Sequence, residues 1–144
     1  MTNIHILLVE DNEGDIVLTL EALEEAKIFN NVSVVRDGQQ AIEFLEKKGK
    51  FSSAEDPDLI LLDINLPKKN GHEVLLFAKN DPRFQHIPII MLTTSSSEKD
   101  INNSYRNHAN CFIVKPVDAD NFLKVIRDIE NFWVSIVKLP KNTL

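Results

Sequence analysis

The chain has 144 residues, 43% hydrophobic and 26% charged, a globular balance that suits one domain with a core of its own. Its formal charge of −6 and pI near 5.2 argue against nucleic acid or an anionic membrane as partner, since either needs a basic face. The lone Cys111 excludes an internal disulfide framework, no apolar run approaches the ~20 residues that span a bilayer, and the amino terminus lacks a signal peptide, so the chain is read as cytoplasmic.

The first apolar run, "IHILLV" (residues 4–9), reads as a strand that ends in the acids Glu10 and Asp11. "DIVLTLEALEEAK" follows as a helix, with Ile16, Leu20 and Leu23 on one face. "VSVV" (32–35) is a second strand, and "GQQAIEFLEKK" a second helix with Ala41, Ile42 and Leu45 inward. A polar loop, "GKFSSAEDP", leads to "LILL" (59–62), whose unbroken apolar character fits a parallel strand covered on both faces. That strand runs into Asp63. "GHEVLLFAKN" is a third helix closed by Asn80, Asp81 and Pro82; "IPIIML" (87–92) is a fourth strand; "SEKDINNSYRNH" is a weak, polar fourth helix. "CFIV" (111–114) is a fifth strand. The last helix, from 118 to about 137, repeats Phe122, Val125, Ile126, Ile129, Phe132, Trp133 and Ile136 at helical spacing.

Strands alternating with helices imply right-handed βαβ units. The expected fold is a doubly wound α/β domain with a five-stranded parallel sheet and an extended C-terminal helix, filling residues 1–144 as a single domain. In such a sheet, residues just past the carboxyl ends of the strands face the ligand-binding crevice.

Asp63 ends the third strand, and Glu10 and Asp11 end the first. If those strands are neighbours, three carboxylates meet and repel one another by kcal/mol at an effective dielectric of ~20, so the arrangement calls for a cation. Hard oxygen ligands suit Mg²⁺. Capping of the first helix by Glu10 and Asp11 is the alternative. Thr93 ends the fourth strand and Lys115 the fifth, adding a hydroxyl and an ammonium to the same edge. Together they make a cage for a phosphoryl group, with Asp63 as the nucleophile that forms an aspartyl phosphate.

The segments "LLVEDN" (7–12), "LLDINLPKKNG" (61–71), "IIMLTT" (89–94) and "FIVKP" (112–116) occur in the order and spacing of a response-regulator receiver domain of two-component signalling, which the chain resembles over nearly its whole length. The resemblance implies a flavodoxin-like receiver fold. It also implies that Asp63 accepts phosphate from a phosphohistidine of a sensor histidine kinase, that Glu10, Asp11, Asp63 and the backbone carbonyl of Asn65 hold Mg²⁺, and that Thr93 and Lys115 hold the phosphoryl oxygens. Phe112 takes the place of the switch aromatic, where Tyr is commoner, and Lys115-Pro116 is expected to be cis. Asn65 and Ser95 occupy the positions that tune phosphate lifetime in the family, here expected to be minutes or longer. Such a protein is a switch and not an enzyme acting on a separate substrate.

The long loop before the third strand and the Phe-Trp end of the last helix resemble the small regulators that partner cyanobacterial phytochrome kinases. In that subgroup the carboxyl end supports homodimers, which points to Phe132, Trp133, Ile136 and Val137 as the dimer contact. Ile16, Val17 and Pro116 are the candidate kinase contacts, with a place in the core as the alternative for Ile16, and no output domain is expected after the tail "KLPKNTL". A dehalogenase-like phosphohydrolase would carry a second Asp where Asn65 stands. A phosphorylation-dead scaffold would have lost a member of the set Glu10, Asp11, Asp63, Thr93 and Lys115. A mononucleotide or flavin binder would need a Gly-rich loop where "EDNEGD" stands. The four histidines show no metal-ligand spacing.

Overall fold

The computed structural model describes residues 4–27, 30–94 and 111–128. Within them lie β1 (Ile4–Val9), α1 (Glu13–Glu25), β2 (Asn30–Val35), α2 (Gly38–Glu46), β3 (Leu59–Asp63), α3 (Gly71–Lys79), β4 (Ile89–Thr93), β5 (Cys111–Val114) and α4 (Ala119–Asp128), with a short 3₁₀ turn at Gly49–Phe51. The strands form one parallel sheet in the order β2-β1-β3-β4-β5. This is the doubly wound sheet that the alternating pattern implies, in the flavodoxin-like strand order that the family resemblance implies.

Side chains on a strand alternate between faces, and the core divides accordingly. Leu7, Val9, Ile60, Leu62, Ile89 and Met91 pack with α2 and α3. Ile6, Leu8, Leu59, Leu61, Ile90 and Leu92 pack with α1 and α4. Both faces are therefore dry, which explains why these strands read as continuous apolar runs. Phe122 on α4 is wholly buried in the second core, a burial that contributes about 2–3 kcal/mol.

Each of the first three helices starts on a side-chain cap. Asn12 accepts from the Asp15 N–H at 2.9 Å, Asp37 from Gln40 at 2.7 Å, and Asn70 from Glu73 at 3.0 Å within a reciprocal capping box. The cap of α1 is thus Asn12, so Glu10 and Asp11 do not serve that purpose.

Several elements differ in detail from the sequence reading. β4 begins at Ile89 and not at 87, because Pro88 has no N–H for the ladder and offers only its carbonyl, which accepts from Ile60. On α1 the buried face is Ile16, Thr19, Ala22 and Leu23, while Leu20 is exposed. Ile16 is 3% exposed and belongs to the core, which removes it from the kinase-contact candidates, whereas Val17 is 45% exposed. On α2, Phe44 is buried where Ile42 is only half-buried. The polar fourth helix of the sequence reading, Ser95, and the apolar residues Ile129, Phe132, Trp133, Ile136 and Val137 lie outside the described residues.

Candidate functional site

Strand register brings the acids together. β1 lies between β2 and β3, with Val9 level with Leu62, so the residues that follow, Glu10 and Asp63, arrive at the same edge. β4 places Leu92 level with Asp63, and β5 places Val114 level with Thr93, which delivers Lys115 to that edge. The Lys115 N–H donates to the Thr93 carbonyl at 2.7 Å, and the Lys115-Pro116 peptide is cis.

Glu10, Asp11 and Asp63 each offer a carboxylate oxygen, and these oxygens lie within 4.8 Å of one another. Glu10 and Asp63 are buried and Asp11 is exposed. An all-oxygen set with one arm open to solvent fits a hard divalent cation that keeps some of its water. Asn65 is exposed beside the cluster, and its N–H lies 3.4 Å from Asp63 Oδ1.

The Lys115 ammonium sits among the acids. Its Nζ donates to Glu10 Oε1 at 2.8 Å and to Asp15 Oδ2 at 3.0 Å, and lies 3.3 Å from Asp63 Oδ1. Burial pushes the Asp63 carboxyl up to about 7, the Glu10 charge adds to the rise, and Lys115 opposes it. For Lys115 itself burial pulls downward, but hydrogen bonds to Glu10 and Asp15 and the charges of Asp63 and Glu10 outweigh it and hold the ammonium above its ordinary pKa.

Thr93 is 3% exposed at the end of β4. Phe112 is half-buried on β5 and packs against the core on the α2 and α3 side. Two contributors escaped the sequence reading. Asp15 looks like an ordinary acid in a helix's first turn, yet it reaches Lys115 across a separation of 100 residues. Gly71 starts α3 hard against the end of β3: a Cβ there would stand 2.3 Å from the Asp63 carbonyl oxygen and 2.7 Å from Ile64 Cα. Among the described residues no helix is long and apolar enough to cross a membrane.

Residues 6–127 match the response regulator receiver domain. Response regulator Rcp1 of Synechocystis sp. is 42% identical over 135 residues, covering 94% of this chain and 92% of its own. Its Mn(2+)-bound crystal structure superposes with a TM-score of 0.76 at 42% identity, over 90% of this chain and 94% of that one. The crystal structure of the phosphorylated cyanobacterial phytochrome response regulator RcpA is similar at 45% identity and a TM-score of 0.77, over 92% of this chain and 95% of that one. The acidic cluster therefore sits in a fold whose relatives act as signalling switches downstream of sensor histidine kinases, and the chain belongs to the response-regulator receiver family, among those most like the phytochrome-associated regulators.

Proposed function

We propose that Asp63 is the phosphoacceptor of this switch, loaded from the phosphohistidine of a sensor kinase with Mg²⁺ as the resident cation. The observation that carries the proposal is a carboxylate 3% exposed, grouped with Glu10 and Asp11 and 3.3 Å from the Lys115 ammonium. An Asp63 oxygen attacks phosphorus, an O–P bond forms as the P–N bond to the donor imidazole breaks, and the imidazole leaves after gaining a proton. Bound Mg²⁺ supplies positive charge that neutralises the phosphoryl oxygens. Glu10, Asp11 and Asp63, whose carboxylate oxygens lie within 4.8 Å of one another, would hold it, directly or through water, together with the Asn65 carbonyl. Lys115 donates from Nζ and Thr93 from its hydroxyl to phosphoryl oxygens, and Phe112 follows Thr93 by packing alone because it lacks a hydroxyl. The Mn(2+)-bound form of Rcp1 and the phosphorylated form of RcpA support the metal and the phosphoryl group respectively.

Intact-mass measurement after incubation with acetyl phosphate tests this reading. One added phosphoryl group that requires Mg²⁺ and is absent from Asp63→Asn is expected; uptake by the variant would refute the assignment. The proposed context is cytoplasmic, with a phytochrome-type kinase docking over Val17 and Pro116, and with residues 1–144 acting as one receiver domain. The proposed homodimer uses Phe132, Trp133 and Ile136, supported by their helical spacing in the sequence. Sedimentation of Trp133→Ala is expected to give a monomer that still takes phosphate, and a persisting dimer would refute that contact.

A further inference from the structure

An ammonium has three protons to donate, and in this structure Lys115 gives two of them to Glu10 and Asp15. Its approach to Asp63, 3.3 Å, is the longest of the three carboxylate distances. The two stronger ties differ in kind. Glu10 is fully buried, so releasing it from Lys115 would strand a charge away from water. The Asp15 side chain is 29% exposed, so water can take the place of Lys115 there. Asp15 is also held in place, since its N–H is fixed by the Asn12 cap at 2.9 Å in the first turn of α1.

We propose that Asp15 is a positioning residue that competes with the phosphoryl group for Lys115. The inference rests on the phosphoacceptor reading of Asp63. Phosphorylation raises the charge at Asp63 from about −1 to about −2, which makes the phosphoryl oxygens the better acceptors for the Lys115 ammonium. Asp15 is the partner it leaves at least cost. Asp15 therefore sets a tax on the phosphorylated state, and because it sits on α1 the exchange ties that helix to the loading of the site. An acid that only complements the dipole of α1 would affect helix stability and leave Lys115 and phosphoryl affinity unchanged.

The test compares the full chain with Asp15→Asn and Asp15→Glu. The first readout is affinity for beryllofluoride, formed from beryllium chloride and sodium fluoride with MgCl₂ present and followed by fluorine NMR. Asp15→Asn is expected to bind about fivefold tighter, the scale of one partly exposed ion pair, and Asp15→Glu to return towards the natural value. The second readout is the ¹⁵N resonance of Lys115 Nζ in the metal-free protein, assigned by its loss in Lys115→Arg. It is expected to shift in Asp15→Asn. Unchanged or weaker beryllofluoride binding by Asp15→Asn, or an unmoved Nζ resonance, overturns the inference while leaving the phosphoacceptor reading intact. Failure of the natural protein to bind beryllofluoride overturns both.

Discussion

Replacing Asp63 with Asn should stabilise the metal-free protein at pH 8, although it removes the proposed phosphoacceptor. The carboxyl is raised from 3.8 to about 7 by burial and by the Glu10 charge, with Lys115 already counted against the rise. A group whose pKa is raised on folding contributes stability that is fully present below the unfolded pKa. That stability is lost as pH rises towards the folded value, here from about pH 4 to about pH 7. A shift of roughly three units corresponds to on the order of 4 kcal/mol of ionisation cost at pH 8. Asn carries no charge at any pH, and the attraction of Lys115 is already inside that figure, so the net gain should be on the order of 4 kcal/mol at pH 8. At pH 5 the folded carboxyl already holds its proton, and the gain should fall by about half or more. Urea unfolding of both proteins in EDTA at the two pH values measures the difference. A gain equal at both pH values, or a loss at pH 8, would refute the picture of a strained, buried acid.

Removing the cation should do the opposite: Lys115→Met leaves Glu10 and Asp63 buried without their ammonium, and a loss of about 3 kcal/mol in urea unfolding is expected. A loss below about 1 kcal/mol would mean that the acids are better solvated than their burial implies. Gly71→Ala should cost about 2–4 kcal/mol in thermal unfolding, because its Cβ meets the Asp63 and Ile64 backbone, which cannot swing aside as a side chain can. An unchanged melt would show that this loop yields easily. Addition of MgCl₂ at about 100 times its dissociation constant should stabilise the natural protein by about 2.7 kcal/mol, and Asp11→Ala should blunt the effect. Equal stabilisation of Asp11→Ala would exclude Asp11 from the cation site.

What could be read from the sequence followed physical simplicity. β1, β3 and β4 are covered on both faces, so their residues announce themselves as apolar runs, and the polar residues that end them stand out: Glu10 after Val9, Asp63 after Leu62, Thr93 after Leu92. Parallel pairing then needs only the strand order to bring these residues together. Less could be read where a role depends on a partner distant in the chain. Asp15 has the look of any acid in a first helical turn, and only the β4–β5 pairing that delivers Lys115 gives it a partner. Gly71 reads as the end of a turn, and its need for a missing Cβ appears only when α3 lies against the Asp63 backbone. Helical spacing puts Leu20 on one face with Ile16 and Leu23, but the face of α1 that meets the sheet is centred on Ile16, Thr19 and Leu23, so a threonine is buried and a leucine exposed.

The most direct measurement locates the phosphoryl group itself. The protein would be loaded with acetyl phosphate and MgCl₂, treated with borohydride to reduce the acyl phosphate, and mapped by peptide mass spectrometry. Conversion of residue 63 to homoserine, with Glu10, Asp11 and Asp15 unmodified, is the expected result. Reduction at Glu10, Asp11 or Asp15 with residue 63 intact would contradict the assignment of Asp63 as the acceptor.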